Sequence, residues 1–201
     1  MSQYFQVKEM SEESDHIENS ISIRIPRDRI GALVGREGKT KKDIEEMSGC
    51  ILDIDSTDGD ILVTAKESTD PLKVNATAEV VKAIGRGFSP ERAFYLYNDG
   101  FQLVVISLRE FARKGSNRIN EIKGRIIGRQ GKTRQIVEDI TDCFVCVYGD
   151  TVSLIGDYIS MRYALQALQM IIEGKKQRTV YTYLESKAKE LKAERIAESF
   201  R

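Results

Sequence analysis

The strongest constraint on this chain is that it contains one pattern twice. Gly31-Ala-Leu-Val-Gly35-Arg-Glu-Gly38-Lys-Thr40 returns 93 residues later as Gly124-Arg-Ile-Ile-Gly128-Arg-Gln-Gly131-Lys-Thr133. The register continues, with Glu45 meeting Glu138, Ser48 meeting Thr141 and Cys50 meeting Cys143. Three residues drop out at the next turn, after which Gly59-Asp60 meets Gly149-Asp150. Two copies in 201 residues make a tandem of like domains, not a solenoid, and each half is the size of a small domain.

Each copy carries the same string of local signals. Ile21–Ile25 alternates apolar and polar residues, as a half-buried strand does, and Pro26 ends it. Arg27–Val34 reads as a short helix broken at Gly35, and Lys39–Met47 as a second helix. Alternation at Ile51–Ile54 and Ile61–Val63 around Asp58-Gly59 predicts a hairpin, and Leu72–Ile84 a longer helix. The second copy gives strand Gln102–Leu108, helices Asn117–Ile127 and Lys132–Ile140, strands Cys143–Tyr148 and Thr151–Ile155, and helix Tyr158–Ile172. Both read β-α-α-β-β-α. Ser89-Pro90-Glu91 predicts a capped linker helix with Pro at its first position. A charged helix from Thr179 to Phe200, with Leu184, Ala188 and Leu191 at helical spacing, reads as packing across its own domain.

Composition matters here mainly through placement. The net charge is zero, yet Pro26–Lys42 holds six bases against two acids and Gly115–Arg134 six against one. Residues 1–19 hold five acids and one base. A neutral total therefore conceals two basic patches, each lying over a Gly-x-x-Gly turn. No apolar run approaches the ~20 residues of a membrane span. The start of the chain lacks the layout of a signal peptide, and three cysteines fit a reducing compartment. The expectation is a cytoplasmic protein without a membrane partner.

A four-residue turn with glycine at both ends has a physical use. Glycine accepts positive φ and lets another backbone approach. The turn leads into a helix N-terminus, whose free N–H groups favour phosphate. Arg36, Lys39, Lys41 and Lys42 surround the first turn, and Lys123, Arg125, Arg129, Lys132 and Arg134 the second.

β-α-α-β-β-α with Gly-x-x-Gly between the paired helices resembles the KH domain of type I, whose loop clamps about four nucleotides of single strand. Ile126-Ile127-Gly128-Arg129-Gln130-Gly131 carries the likeness closely, and Leu33-Val34-Gly35-Arg36-Glu37-Gly38 nearly as well. Lys41 and Arg134 depart from it by standing where many KH domains have an aliphatic residue. The Gly-Arg-x-Gly-Lys-Thr form and the stretch Ala83-Ile84-Gly85-Arg86-Gly87-Phe88-Ser89-Pro90-Glu91-Arg92-Ala93 are similar to the archaeal members of the partner-of-Nob (Dim/Krr-like) family of ribosome-assembly factors.

The resemblance implies an α+β fold: two tandem type I KH domains with three-stranded antiparallel sheets packed against helices, plus a C-terminal helix. It divides the chain into an acidic leader (1–17), KH domain 1 (18–87), a helical linker (88–98), KH domain 2 (99–175) and the final helix (176–201). It implies binding to the single-stranded 3′ end of small-subunit ribosomal RNA, without catalysis or cofactor. The implied partners are the α subunit of translation initiation factor 2 and a PIN-domain endonuclease. The RNA-contact residues so expected are Gly35, Arg36, Gly38 and Lys39 in the first copy. In the second they are Lys123, Arg125, Gly128, Arg129, Gln130, Gly131, Lys132 and Arg134, with Ile127, Val145 and Val147 as apolar walls. Aromatic residues are few near the loops, so stacking is expected to be minor. The second copy is expected to bind more tightly, because Glu37 replaces Gln130 and Ala32 replaces Arg125 in the first.

Other readings are weaker or predict something different. A Walker loop needs a glycine where Leu33 and Ile126 stand, and it follows a strand. The run Asp53–Asp60 lacks the glycine and glutamate of a calcium loop and reads as a solvated hairpin. Cys143-x-x-Cys146 lacks the further ligands of a zinc site, and His16, the one histidine, has no triad partner in sight. An exosome-type adaptor would bring a third, β-rich segment, and a general KH regulator of RNA or single-stranded DNA would show no preference for ribosomal RNA ends.

Overall fold

The computed structural model describes residues 20–66, 69–112 and 117–198. The leader expected at 1–17, with His16, lies outside them. In the first copy β1 (Ser20–Arg24), α1 (Arg27–Val34), α2 (Lys39–Ser48), β2 (Cys50–Ile54), β3 (Asp60–Ala65) and α3 (Pro71–Gly85) follow in the expected order. Pro26 stands between β1 and α1, where its fixed φ suits a helix entry. Asp70 caps α3 by accepting from the Leu72 N–H at 2.9 Å, with Pro71 at the first helical position. The acidic hairpin is an Asx turn: the Asp55 carboxylate accepts from the Thr57 N–H at 2.7 Å, and these backbone donors hold it below the usual carboxylate range.

A linker of α4 (Pro90–Ala93) and a 3-10 turn (Phe94–Tyr97) leads to the second copy. Ser89 occupies the N-cap position as read, but its hydroxyl bonds no helix N–H; it reaches the Glu91 side chain instead. The second copy comprises β4 (Phe101–Ser107), α5 (Arg118–Ile127), α6 (Lys132–Thr141), β5 (Phe144–Tyr148), β6 (Thr151–Asp157) and α7 (Tyr158–Ile172), followed by α8 (Gln177–Glu198). The sheets are antiparallel, with strand orders β1-β3-β2 and β4-β6-β5, so the third strand of each copy is central.

Two cores organise the molecule. Leu33, Ile44, Leu52, Ile61 and Ile84 are buried in the first, and Ile122, Ile126, Val137, Leu154 and Leu168 in the second. Each such side chain contributes about 1.5–3 kcal/mol by leaving water. The second sheet is covered on both faces. Val145 and Val152 point into its own helices, whereas Leu103, Phe144, Cys146 and fully buried Ile155 join the first core. Arg29 donates to the Ile84 and Phe88 carbonyls at 2.9 and 2.8 Å, tying α1 to the end of α3 and to the start of the linker. Its guanidinium carbon lies 5.8 Å from the Tyr148 ring centre, and the Tyr148 hydroxyl donates to Asp28. Among the described residues the first sheet has no such cover, and its Ile51 and Leu62 are exposed.

The final helix packs on α6 and α7, burying Val180, Leu184 and Leu191. Its far end is held by ion pairs: Glu194 with Arg162 at 2.6 Å, and Arg195 with Asp142 and with Asp157. Among the described residues no helix is long and apolar enough to cross a membrane.

Candidate nucleic-acid interface

Both Gly-x-x-Gly turns take the same backbone path. Gly35 and Gly128 have φ of +74° and +73°, and Gly38 and Gly131 of +76° and +78°. The two glycines of each turn serve different ends. A Cβ on Gly35 or Gly128 would lie 2.2 Å from Thr40 or Thr133 Oγ1, so the first glycine is demanded by the threonine that follows. A Cβ on Gly38 or Gly131 would meet nothing within 4 Å. The second glycine therefore leaves bare backbone open to the outside, as a close-approaching strand requires. Glu37 and Gln130 sit between them at φ of +55° and +52°.

Each turn opens directly into α2 or α6, and neither helix has a side-chain cap at its N-terminus. The first N–H of each, at Lys39 and Lys132, donates to the Arg36 or Arg129 carbonyl, so what each helix start offers an anion is its positive dipole end. The bases around the turns differ in how free they are. Among the described residues Arg129 and Lys132 make no ion pair, whereas Arg36 approaches Glu37 at 3.9 Å. Lys39 opens α2 directly after the first turn. Lys123 donates to the Gly149 carbonyl at 3.0 Å, reaching from α5 to the hairpin turn between β5 and β6. Arg125 is engaged elsewhere: one nitrogen pairs with Glu121 at 2.9 Å and another lies against Gly174, beyond the C-terminal end of α7. The structure thus does not bring it to the turn.

Lys41 and Arg134 occupy matching positions, and each has a glutamate one helical turn on, Glu45 at 3.8 Å and Glu138 at 3.7 Å. Those glutamates do more than pair charge. Glu45 accepts from the Leu52 N–H at 2.9 Å, and Glu138 from the Val145 N–H at 2.8 Å, on the edge strand of each sheet. Sequence reasoning aligned the two glutamates without finding this role. An acid kept at one place in both copies, seven residues before the edge-strand residue whose N–H it accepts, was the available signal.

Two expectations need correcting. Val145 is only 1% exposed, because alternate residues of β5 point into the second core, so its side chain cannot wall a groove. Ile127 is 39% exposed at the end of α5, and Val147 lies half-buried at the edge of the core. Since the Val145 N–H points away from β6, the alternation of an antiparallel ladder turns the Val147 N–H the same way. Aromatic rings are also not distant from the loops. Tyr95, Phe101 and Phe144 line a cleft that begins at Gln130 and Gly131.

This fold and these loops define a class, the RNA-binding proteins built from tandem type I KH domains. Residues 20–86 match the KH domain family, and residues 102–189 the family described as "Eukaryotic type KH-domain (KH-domain type I)". A KH domain-containing protein of Methanocaldococcus jannaschii is 38% identical over 175 residues, which are 87% of this chain and 76% of that protein. Dim2p from Pyrococcus horikoshii superposes with a TM-score of 0.79 at 42% identity, covering 83% of this chain and 98% of that one. The aDim2p chain in a crystal structure of an a/eIF2alpha-aDim2p-rRNA complex from the same organism gives 0.82 at 41%, covering 88% and 97%. A protein of unknown function from Aeropyrum pernix gives 0.85 at 34%, covering 92% and 98%. The chain belongs to the archaeal Dim2 family of KH proteins.

Proposed function

We propose that this protein binds the single-stranded 3′ end of small-subunit ribosomal RNA during ribosome maturation, as a non-catalytic factor, mainly through its second Gly-x-x-Gly loop. The observation that carries the reading is the second loop itself. There an open Gly131 backbone, an α6 N-terminus without a side-chain cap and the unpaired Arg129 and Lys132 fall within four consecutive residues. Arg134 and Lys123 flank that stretch with their charges partly engaged, and Ile127 with the outward backbone of Val147 offers the base side of the groove. Phosphate contacts of this kind position a strand, and the groove beside them reads it.

The first loop has the same geometry but carries Glu37 beside Arg36, so its hold on phosphate is weaker and its domain is free to engage protein. Complex formation between a/eIF2alpha, aDim2p and rRNA in P. horikoshii supports the initiation factor 2 α subunit as a partner here. The resemblance adds a PIN-domain endonuclease, and the cytoplasm is the compartment in which all three would meet.

Fluorescence anisotropy with an RNA copying that 3′ end tests the proposal, with a scrambled RNA and the matching DNA as controls. Wild type is compared with an Arg129→Asp/Gln130→Asp variant and an Arg36→Asp/Glu37→Asp variant. Sequence-dependent binding lost in the first variant and mostly kept in the second is the expected result. Equal binding to every oligomer would leave a general KH module instead.

A further inference from the structure

The cleft beside the second loop has one wall that neither Gly-x-x-Gly unit supplies. It measures about 740 Å³, within the range of small-ligand clefts. It runs from Gln130 and Gly131 along α6 to the linker, where Arg92 and Tyr95 close it. We propose that this cleft is a base-stacking subsite for a nucleotide flanking those held by the second loop, with Tyr95 as the stacking ring. The proposal rests on the RNA-binding reading above and extends it to a residue of the interdomain linker.

Continuity is the first ground. A strand seated on Gly131 has the cleft directly beside it, because both surfaces share the Gln130–Gly131 backbone. The second ground is the preparation of Tyr95. Its ring stands edge-on to Phe144 at 4.9 Å between centres, and 5.7 Å from Phe101, yet 44% of the residue stays exposed. The neighbouring rings fix its orientation, so little freedom remains to be lost when a base stacks there. Beneath it Arg92 lies 5.0 Å over the Phe144 ring and 3.0 Å from Glu138, a fixed floor.

Charge decides what the cleft accepts. Arg92 and Arg134 share Glu138, Arg195 is paired with Asp142, and Asp139 also faces the cavity. The acids and bases largely cancel, so a phosphate gains little by entering. A planar, uncharged base gains a ring face, and stacking tolerates any base. The subsite therefore adds affinity with little dependence on salt, in contrast to the loop beside it.

The test uses the full chain and a fluorescein-labelled RNA of the 3′-end sequence, together with copies carrying one abasic nucleotide at successive positions. Tyr95→Ala should weaken binding at least about fivefold while leaving the slope of log affinity against log salt unchanged. Tyr95→Phe should bind as wild type. One abasic position should cost wild type a similar factor and cost Tyr95→Ala nothing more, a coupling that a merely structural role for Tyr95 cannot produce. Wild-type affinity in Tyr95→Ala, or abasic penalties identical in both proteins, overturns the subsite while the binding itself stands. If wild type binds no RNA, or the Arg129→Asp/Gln130→Asp variant binds as well as wild type, the RNA reading of the loop falls as well.

Discussion

The hydroxyl of Tyr181 lies 2.9 Å from Thr133 Oγ1, which ties the final helix to the residue that dictates Gly128. Gln177 donates to the same oxygen at 3.0 Å. Thr133 is buried, so the second loop is braced from behind by a segment that follows its own domain. Tyr181→Phe removes one hydrogen bond and is expected to cost about 1 kcal/mol. Thermal unfolding and hydrogen exchange at residues 128–134 should show the loss, and RNA affinity should fall with it. Undiminished protection of the loop would separate the helix from it.

The two glycines of the second loop should respond differently to alanine. At Gly128 the methyl would meet Thr133 Oγ1 at 2.2 Å and its backbone nitrogen at 2.8 Å, so a loss above ~2 kcal/mol is expected. At Gly131 there is space, and only the left-handed backbone is penalised, by about 1–2 kcal/mol. Gly131→Ala should stay folded in a thermal scan and still bind RNA poorly, because the methyl stands where the strand approaches. Unchanged affinity would mean that no strand touches Gly131.

Glu37 gives a one-residue test of the first loop. A carboxylate ~7 Å from a phosphate in water repels it by about 0.6 kcal/mol. Glu37→Gln should therefore raise affinity roughly threefold if the first loop meets RNA, as read by anisotropy at low salt. No change would assign that loop to another ligand.

Burial pushes the Cys143 thiol up from 9.0 to about 12. The unfolded chain gives up this proton near ~8.5, so above that value the folded state binds more protons than the unfolded one. Stability is then complete below about pH 8.5 and is lost as pH rises towards 12, by about 1–2 kcal/mol at pH 10. The Tyr148 hydroxyl, raised first by its bond to Asp28, adds to the same trend. Urea midpoints at pH 8 and pH 10 measure it, and the drop should be smaller in Cys143→Ala. An equal drop would place the alkaline loss elsewhere.

Arg29 fixes the linker to the first copy through the Ile84 and Phe88 carbonyls, and its guanidinium reaches the Tyr148 ring of the second copy. Arg29→Ala is expected to cost about 2–3 kcal/mol, the range for hydrogen bonds to a charged group. It should also split a single unfolding transition into two, visible by calorimetry. One sharp transition in the variant would show that the shared apolar core and the Tyr148–Asp28 hydrogen bond couple the domains without it.

Most of the local architecture could be read from the chain because its signals are local. Pro26, Gly35 and the Gly149-Asp150 turn act on their own neighbours, and the repeat let each copy check the other. What escaped depends on contacts between distant segments. Phe144-Val-Cys-Val-Tyr148 is apolar at nearly every place, where the first copy has Ile51-Leu-Asp-Ile-Asp55 with Asp53 outward. An unbroken apolar run marks a strand buried on both faces, a signal of the cover over the second sheet that the expectation of Val145 as a wall left unused. Tyr95 was illegible as a loop neighbour because 35 residues separate it from Gln130. Arg125 was misjudged for the opposite reason: nearness in sequence hid the fact that its side chain points towards Gly174.

The cover over the second sheet turns the molecule into a calliper. With Phe144, Cys146 and Ile155 sunk into the first core, the jaws at Gly38 and Gly131 keep one opening. A flexible tether would let two weak grips find any pair of sequences, at an effective concentration set by its length. A fixed gap instead rewards only the strand whose spacer matches it, and shorter or longer spacers gain nothing from the second grip. If both loops hold one RNA, the distance between them selects it as much as the bases they touch.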